Sequence, residues 1–135
     1  MNVKWTNGNN MQSKRLLLAE DDPMLASLLK YRLERGGYSV DLAADGREVK
    51  SYLQKQLPDV IVSDIMMPYF SGIELVDFLR SELKSTVPVI IISNAGNETN
   101  ILNAFSLGAD DFISKPVSPA ELMIRVDKLT RKQAI

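Results

Sequence analysis

Three short runs of consecutive apolar residues constrain the fold of this chain more than any other feature of its sequence. They read LLLA, VIV and VIII and lie within residues 15–19, 59–63 and 87–92. A strand with one face in water alternates apolar and polar residues, whereas a continuous apolar run of this length is typical of a parallel strand covered on both faces. The chain is therefore predicted to build a sheet with helices packed on each side.

Two further strands and five amphipathic segments complete the pattern. The strand predicted at 38–42 reads YSVDL and alternates, which suits a sheet edge, and the last strand is predicted at 111–114. Apolar residues recur every three or four positions in the segments between strands, as on one face of a helix. The predicted helices are 24–35, 46–56, 73–84, 99–107 and 119–132. Strict alternation of strand and helix predicts an α/β fold, a doubly wound five-stranded parallel sheet with right-handed crossovers.

The periodic segments form one domain, predicted at residues 14–132. The Asn- and Gly-rich residues 1–13 are predicted to be a disordered N-terminal extension, and Met11 is an alternative natural start. Residues 133–135 are predicted to be a C-terminal tail or the start of a linker.

Composition excludes several classes of function. The 135 residues include no histidine and no cysteine, which excludes Ser-His-Asp catalysis, a histidine general base, zinc sites that need imidazole, and disulfides. With 16 basic and 17 acidic side chains, the net charge of −1 provides no electrostatic attraction to nucleic acid or to an anionic membrane. No apolar run approaches the roughly 20 residues of a membrane span.

Charged and polar residues follow four of the predicted strands at their carboxyl ends, where doubly wound sheets bind ligands. The set comprises Glu20, Asp21, Asp22, Asp64, Ser93 and Lys115. Asp22 directly precedes Pro23 and is predicted to cap the first helix. The remaining carboxylates offer an all-oxygen site of the kind that suits Mg²⁺, and one of them can serve as a nucleophile toward phosphorus. A lysine in the same place would stabilise the transferred group as a point charge.

Four separate motifs, LLLAEDDP, PDVIVSDIMMP, PVIIIS and LGADDFISKP, resemble the receiver domain of two-component response regulators. The resemblance covers nearly all of residues 14–132. It implies a flavodoxin-like fold with strand order 2-1-3-4-5 and helices on both faces of the sheet.

The resemblance also implies a role for each acidic residue at the sheet edge. Asp64 matches the phosphoacceptor of the family. Glu20 and Asp21 match the pair of acids that holds Mg²⁺ or Mn²⁺ together with Asp64, and the backbone carbonyl of Met66 matches a further protein ligand.

Three further positions match residues that respond to phosphorylation in the family. Ser93 matches the hydroxyl that follows the phosphoryl group, Lys115 matches the lysine that contacts it, and Phe112 matches an aromatic switch residue. The Lys115–Pro116 bond is expected to be cis. Phosphorylation is expected to change the surface formed by the fourth helix, fifth strand and fifth helix.

The partners implied are a sensor histidine kinase or a His-phosphotransfer protein, and a downstream effector domain or protein. A phosphorylation-dependent homodimer is also expected, with no direct nucleic-acid or membrane binding by this chain and a cytoplasmic location. Catalysis is expected only as self-catalysed phosphoryl transfer and slow autodephosphorylation, so the chain is not predicted to be an enzyme in the wider sense.

Other functions remain as alternatives. The haloacid-dehalogenase-type phosphatases are excluded, because they need a second acid two residues after the nucleophile and Met66 occupies that position here. A receiver-like interaction module that works without phosphorylation is an alternative, as is the N-terminal regulatory part of a larger DNA-binding or enzymatic regulator. Asn94, Tyr69 and Ser71 differ from the residues most common in the family, which predicts altered dephosphorylation at the first and altered partner docking at the other two.

Overall fold

The computed structural model describes residues 13–94 and 96–133. Most of the predicted N-terminal extension, including Met11, and the last two residues of the predicted tail lie outside the described residues. The elements in chain order are β1 (Arg15–Ala19), α1 (Pro23–Arg35), β2 (Ser39–Ala43), α2 (Gly46–Lys55), β3 (Val60–Asp64), α3 (Gly72–Asp77) with a π-helical continuation (Phe78–Glu82), β4 (Val89–Ser93), α4 (Glu98–Leu107), β5 (Asp111–Ser114) and α5 (Pro119–Gln133).

The five strands form a single parallel sheet in the order β2-β1-β3-β4-β5. This order confirms the flavodoxin-like topology that the resemblance implied. The alternating strand β2 lies at an edge, as its pattern predicted. The strand order reverses between β1 and β3, so a crevice opens above the carboxyl ends of these two strands.

The continuous apolar strands are buried because helices cover both faces of the sheet. Side chains of neighbouring strand positions point to opposite faces. Leu16 and Leu18 therefore pack with Leu29 of α1 and Val126 of α5. Leu17 and Ala19 belong to the second core cluster, which includes residues of α2, α3 and α4. Each fully buried leucine contributes about 1.5–3 kcal/mol, so the two core clusters hold the strand ends rigidly in register.

The predicted bounds of two strands were wrong by one or two residues, because both strands start and end later in the chain than predicted. β3 and β4 were predicted to start earlier and to end at positions 63 and 92, but the sheet ladder includes Asp64 and Ser93. Both are buried polar residues that the sequence pattern placed at the carboxyl ends of these strands, directly after the last predicted strand position. The backbone hydrogen bonds of the sheet thus fix the two side chains directly.

The third helix departs most from its prediction as a regular helix over 73–84. It is α-helical only to Asp77 and continues as a π-helical turn, in which the amide of Leu83 donates to the carbonyl of Phe78. Lys84 then adopts a positive φ of 53° and ends the segment. The wider turn places Arg80 within reach of several backbone carbonyls outside its own helix, which a regular repeat does not predict.

None of the helices within the described residues is long and apolar enough to cross a membrane.

Candidate functional site at the carboxyl edge of the sheet

The four strand ends singled out from the sequence lie side by side in the sheet. Asp64 ends β3, Ser93 ends β4, and Glu20 and Lys115 directly follow β1 and β5. Glu20, Asp64 and Ser93 are buried, whereas Asp21 is exposed at the mouth of the crevice. The fold thus brings together residues that are up to 95 positions apart in the chain, from 20 to 115.

Asp64 and Lys115 form the central contact of the site. The Lys115 ammonium donates a hydrogen bond to Asp64 Oδ2 with an Nζ–Oδ2 distance of 2.5 Å. The other oxygen, Asp64 Oδ1, accepts from the amide of Met66 at 3.0 Å. Both carboxylate oxygens are therefore oriented, and Asp64 is only 4% exposed. The Lys115–Pro116 peptide bond is cis, as the resemblance implied.

The pKa of Lys115 reflects this acidic environment. Partial burial alone would lower it, but the hydrogen bond and charge of Asp64, with the charges of Glu20 and Asp21, raise it above the ordinary lysine value. Lys115 is therefore a permanent positive charge at the site.

Glu20 is buried with half of its carboxylate unsatisfied. Its Oε2 accepts from the amide of Asp22 at 3.1 Å, while no described residue donates a hydrogen bond to its Oε1. The nearest cation to Oε1 is Lys115, whose Nζ lies 3.8 Å away, beyond hydrogen-bond range. Burial, together with the charge of Asp64, raises the pKa of Glu20 to about 7, although the amide of Asp22 acts in the opposite direction. A buried acceptor without a partner is uncommon in folded proteins, and a bound cation or a water molecule would satisfy it.

Glu20, Asp21 and Asp64 meet the geometric requirement for a metal centre. One carboxylate oxygen from each lies within 4.8 Å of the others. The donor set is entirely oxygen, as hard divalent cations prefer, and the unsatisfied Oε1 of Glu20 supplies a free ligand atom. The acidic cluster is thus compatible with a divalent cation.

The third acid of the EDDP motif has the capping role that was predicted for it. Asp22 Oδ1 accepts from the amides of Met24 and Leu25 at 3.0 and 3.3 Å, and Pro23 begins α1. Glu20 and Asp21 thus belong to the acidic cluster, whereas Asp22 stabilises the helix.

The remaining predicted residues lie around this centre. Ser93 is buried, and its hydroxyl donates to the carbonyl of the exposed Asn94 at 3.3 Å. Phe112 is 36% exposed and makes an edge-to-face contact with Phe105 of α4, so its ring lies outside both core clusters. The side chain of Met66 is exposed, and its backbone borders Asp64. The roles of these residues stay predictions.

Sequence reasoning missed two features of the loop that follows Asp64. Ser71 and Glu74 form a reciprocal capping box at the start of α3, which the spacing S-x-x-E signals. Tyr69 lies under the guanidinium of Arg47, and no local sequence pattern predicts this contact.

The comparisons with known proteins agree with this geometry. The model of the response regulator receiver domain family matches residues 16–127. The transcriptional regulatory protein PhoP for alkaline phosphatase synthesis, from Bacillus subtilis, is 37% identical over 91% of this chain. The phosphate regulon transcriptional regulatory protein PhoB of Rhizobium meliloti is 38% identical over 87% of the chain. The chain spans about half of each relative, 51% and 52%.

Two solved structures match this chain over nearly all of their own length. The receiver domain of the Francisella response regulator 1452 superposes with a TM-score of 0.83 and 37% identity, covering 89% of this chain and 98% of that one. A response regulator structure from Chloroflexus aurantiacus gives a TM-score of 0.83 and 31% identity, covering 89% and 99%. The chain therefore belongs to the family of response regulator receiver domains, the phosphoacceptor modules of two-component signalling.

Proposed function

We propose that Asp64 accepts a phosphoryl group from a phosphohistidine and that the new charge switches the surface formed by α4, β5 and α5. The observation that carries this proposal is the contact between Asp64 and Lys115, since it places a buried, oriented carboxylate beside a fixed cation. A histidine kinase or a His-phosphotransfer protein supplies the phosphoryl group, because this chain has no histidine.

The transfer is a nucleophilic substitution at phosphorus. A carboxylate oxygen of Asp64 forms a bond to phosphorus while the bond between phosphorus and the donor's imidazole nitrogen breaks, and that nitrogen keeps the electron pair. The hydrogen bond from the Met66 amide orients the carboxylate for this attack. Lys115, already 2.5 Å from Asp64, remains to pair with the oxygens of the transferred group.

Glu20, Asp21 and Asp64, with the backbone carbonyl of Met66, would hold Mg²⁺ or Mn²⁺. When bound, such an ion neutralises charge on the transferring phosphoryl group. Glu20 contributes an oxygen that has no hydrogen-bond partner among the described residues, so binding satisfies it rather than breaking an existing contact.

The switch begins with Ser93 and Lys115, which are drawn toward the added negative charge. Both lie at the ends of strands that lead into α4 and α5. Phe112 is poised on this surface against Phe105, so movement of β5 or α4 changes the exposure of its ring. A change of this kind would alter the surface offered to an effector or to a second copy of the chain.

The names of the curated relatives support an output in transcription. PhoP and PhoB are transcriptional regulators about twice the length of this chain. We propose that the receiver domain controls such an effector and works in the cytoplasm with its kinase. Catalysis by the chain itself is limited to its own phosphorylation and slow hydrolysis.

The first experiment is intact mass spectrometry after incubation with a small acyl phosphate, with and without Mg²⁺. The parent is expected to gain one phosphoryl group only with Mg²⁺, and Asp64→Asn to gain none, because the amide oxygen is a poor nucleophile. Asp77→Asn, an exposed acid outside the site, is the matched control and is expected to behave like the parent.

Two outcomes would contradict the proposal. A folded parent that gains no phosphoryl group would favour the phosphorylation-independent interaction module. An adduct that persists in Asp64→Asn would show that another residue is the acceptor.

A further inference from the structure

Tyr69 adopts a backbone conformation that is unfavourable for its side chain. Its φ is 72°, in the left-handed region, and its side chain is 70% exposed. Residues other than glycine, asparagine and aspartate are rare there, and a bulky aromatic side chain is a true outlier. Such strain persists where surrounding contacts impose it, and it concentrates at functional sites. Tyr69 lies in the loop of residues 65–71, which joins Asp64 to α3.

The contact that holds the exposed ring is made by Arg47 of α2. The Arg47 guanidinium carbon lies 3.9 Å from the centroid of the Tyr69 ring, well within the range of a cation–π contact. Arg47 is in turn oriented by Asp45, whose Oδ2 accepts from its Nη2 at 3.4 Å. Asp45 also caps α2, so the guanidinium extends from a fixed helix start.

The start of α2 and the loop also interlock through their backbones. The amide of Gly46 donates to the carbonyl of Pro68 at 3.1 Å. A Cβ on Gly46 would lie 1.9 Å from the Cβ of Phe70, so these two segments of the chain approach so closely that only glycine fits at position 46. Phe70 also makes an edge-to-face contact with Phe78. The chain reversal at Tyr69 thus directs the ring of Phe70 inward and leaves the ring of Tyr69 under Arg47.

The same loop carries the backbone groups that border the acidic cluster. The amide of Met66 donates to Asp64 Oδ1, and the amide of Gly72 closes the loop by donating to the carbonyl of Ile65 at 2.9 Å. A shift of residues 67–69 would be passed along this short closed loop to Met66. The contacts of Pro68 and Tyr69 with the start of α2 therefore also fix the position of the Met66 backbone.

We propose that Arg47 and Tyr69 are positioning residues that hold the loop of residues 65–71 so that the Met66 backbone is preorganised for the divalent cation and for Asp64. The inference rests on the proposed function, since it takes the acidic cluster as the cation site. It explains why a strained aromatic residue occupies an exposed position: its ring provides the surface on which Arg47 stacks.

The test uses three substitutions in the full chain. Tyr69→Gly removes both the ring and the strain, Tyr69→Phe keeps the ring, and Arg47→Met removes the guanidinium but keeps an apolar stem. The first readout is the affinity for Mg²⁺ alone, measured by calorimetric titration without a phosphodonor. The second is the hydrogen-exchange rate of the Met66 amide in the metal-free protein, and the third is the unfolding temperature.

Tyr69→Gly and Arg47→Met are expected to weaken Mg²⁺ binding by about tenfold, the low end for residues that orient metal ligands. Exchange at Met66 is expected to accelerate in both variants. Neither variant is expected to unfold at a lower temperature. Tyr69→Gly relieves a positive φ, and Arg47→Met removes a cation from the N-terminus of α2. Tyr69→Phe is expected to match the parent. A double variant that combines Tyr69→Gly with Arg47→Met is expected to bind Mg²⁺ no more weakly than either single variant.

Parent-like Mg²⁺ affinity and Met66 exchange in Tyr69→Gly and Arg47→Met would overturn the inference. If the parent itself binds no Mg²⁺, the proposed function fails, and Met66 exchange alone then decides whether the pair fixes the loop.

Discussion

At the scale of single residues, Glu20 links burial to chemistry most directly. Glu20 as a whole residue is 2% exposed, and one of its carboxylate oxygens has no hydrogen-bond partner among the described residues. The ionised form is therefore stabilised poorly by the protein, and its pKa rises to about 7. A cation that binds the ionised form must compete with a proton.

This competition predicts a pH-dependent metal affinity. The raised pKa means that Glu20 is increasingly protonated below about pH 7, so Mg²⁺ affinity should fall as the pH is lowered through that value. Calorimetric titrations at about pH 6 and about pH 8 would measure the difference. Glu20→Gln should bind Mg²⁺ more weakly and lose most of this dependence, and an equal pH dependence in parent and variant would contradict the assignment.

At the scale of secondary structure, the π-helical turn after α3 has a specific consequence for packing. It places the Arg80 guanidinium among four acceptors from two connections at the amino end of the sheet, the one before β4 and the one before β5. Arg80 donates to the carbonyls of Gly108, Ser85 and Val87 and to the carboxylate of Asp110, over 2.7–3.1 Å. The planar, five-donor guanidinium suits such an arrangement, which a lysine cannot reproduce. The end of α3 is thereby tied to the end of α4 and the start of β5.

Arg80→Met is expected to lower the free energy of unfolding by about 2–3 kcal/mol, because several partly buried acceptors lose a charged donor. Urea denaturation would measure the change. Arg32→Met removes an exposed arginine of α1 and serves as the matched control, with an expected change within about 0.5 kcal/mol. Equal losses in the two variants would show that Arg80 does not stabilise the packing.

At the scale of the whole molecule, Tyr38 joins the first half of the chain to its last helix. Its hydroxyl donates to Asp127 Oδ1 at 2.6 Å and lies 2.9 Å from the Thr130 hydroxyl. Both partners belong to α5, about 90 positions away. Burial, and then the hydrogen bond to Asp127, raise the pKa of Tyr38 to about 12. The network anchors the C-terminal half of α5, one of the three elements that form the surface proposed to switch.

The raised pKa predicts how this anchor fails at high pH. The folded protein keeps the Tyr38 proton between about pH 10 and about pH 12, whereas the unfolded chain loses it, so this contribution to stability is present below pH 10 and is lost as the pH rises through the interval. At about pH 8, Tyr38→Phe should lower the free energy of unfolding by about 1–2 kcal/mol. The difference in the free energy of unfolding between parent and variant should disappear as the pH approaches about 12. A difference that stays constant with pH would contradict the raised pKa of Tyr38.

Local patterns determined the architecture because they are periodic along the chain. Continuous apolar strands, amphipathic helices and Asp22 before Pro23 were all readable from neighbouring residues. The positions of Glu20, Asp64, Ser93 and Lys115 at strand ends followed from the same patterns, since parallel strands share one carboxyl edge. The strand order came from the resemblance of four motifs to a known family.

The tertiary structure alone decided which of these groups touch and what each touches. The contact of Lys115 with Asp64 and the stacking of Arg47 on Tyr69 join residues that lie 51 and 22 positions apart. The unsatisfied oxygen of Glu20 lies 3.8 Å from the ammonium of Lys115, 95 positions away. Such contacts depend on loop paths and on the final packing of helices against the sheet. Loop paths and helix packing are set by the sum of many interactions between distant residues, so the local periodicity of the sequence does not predict them.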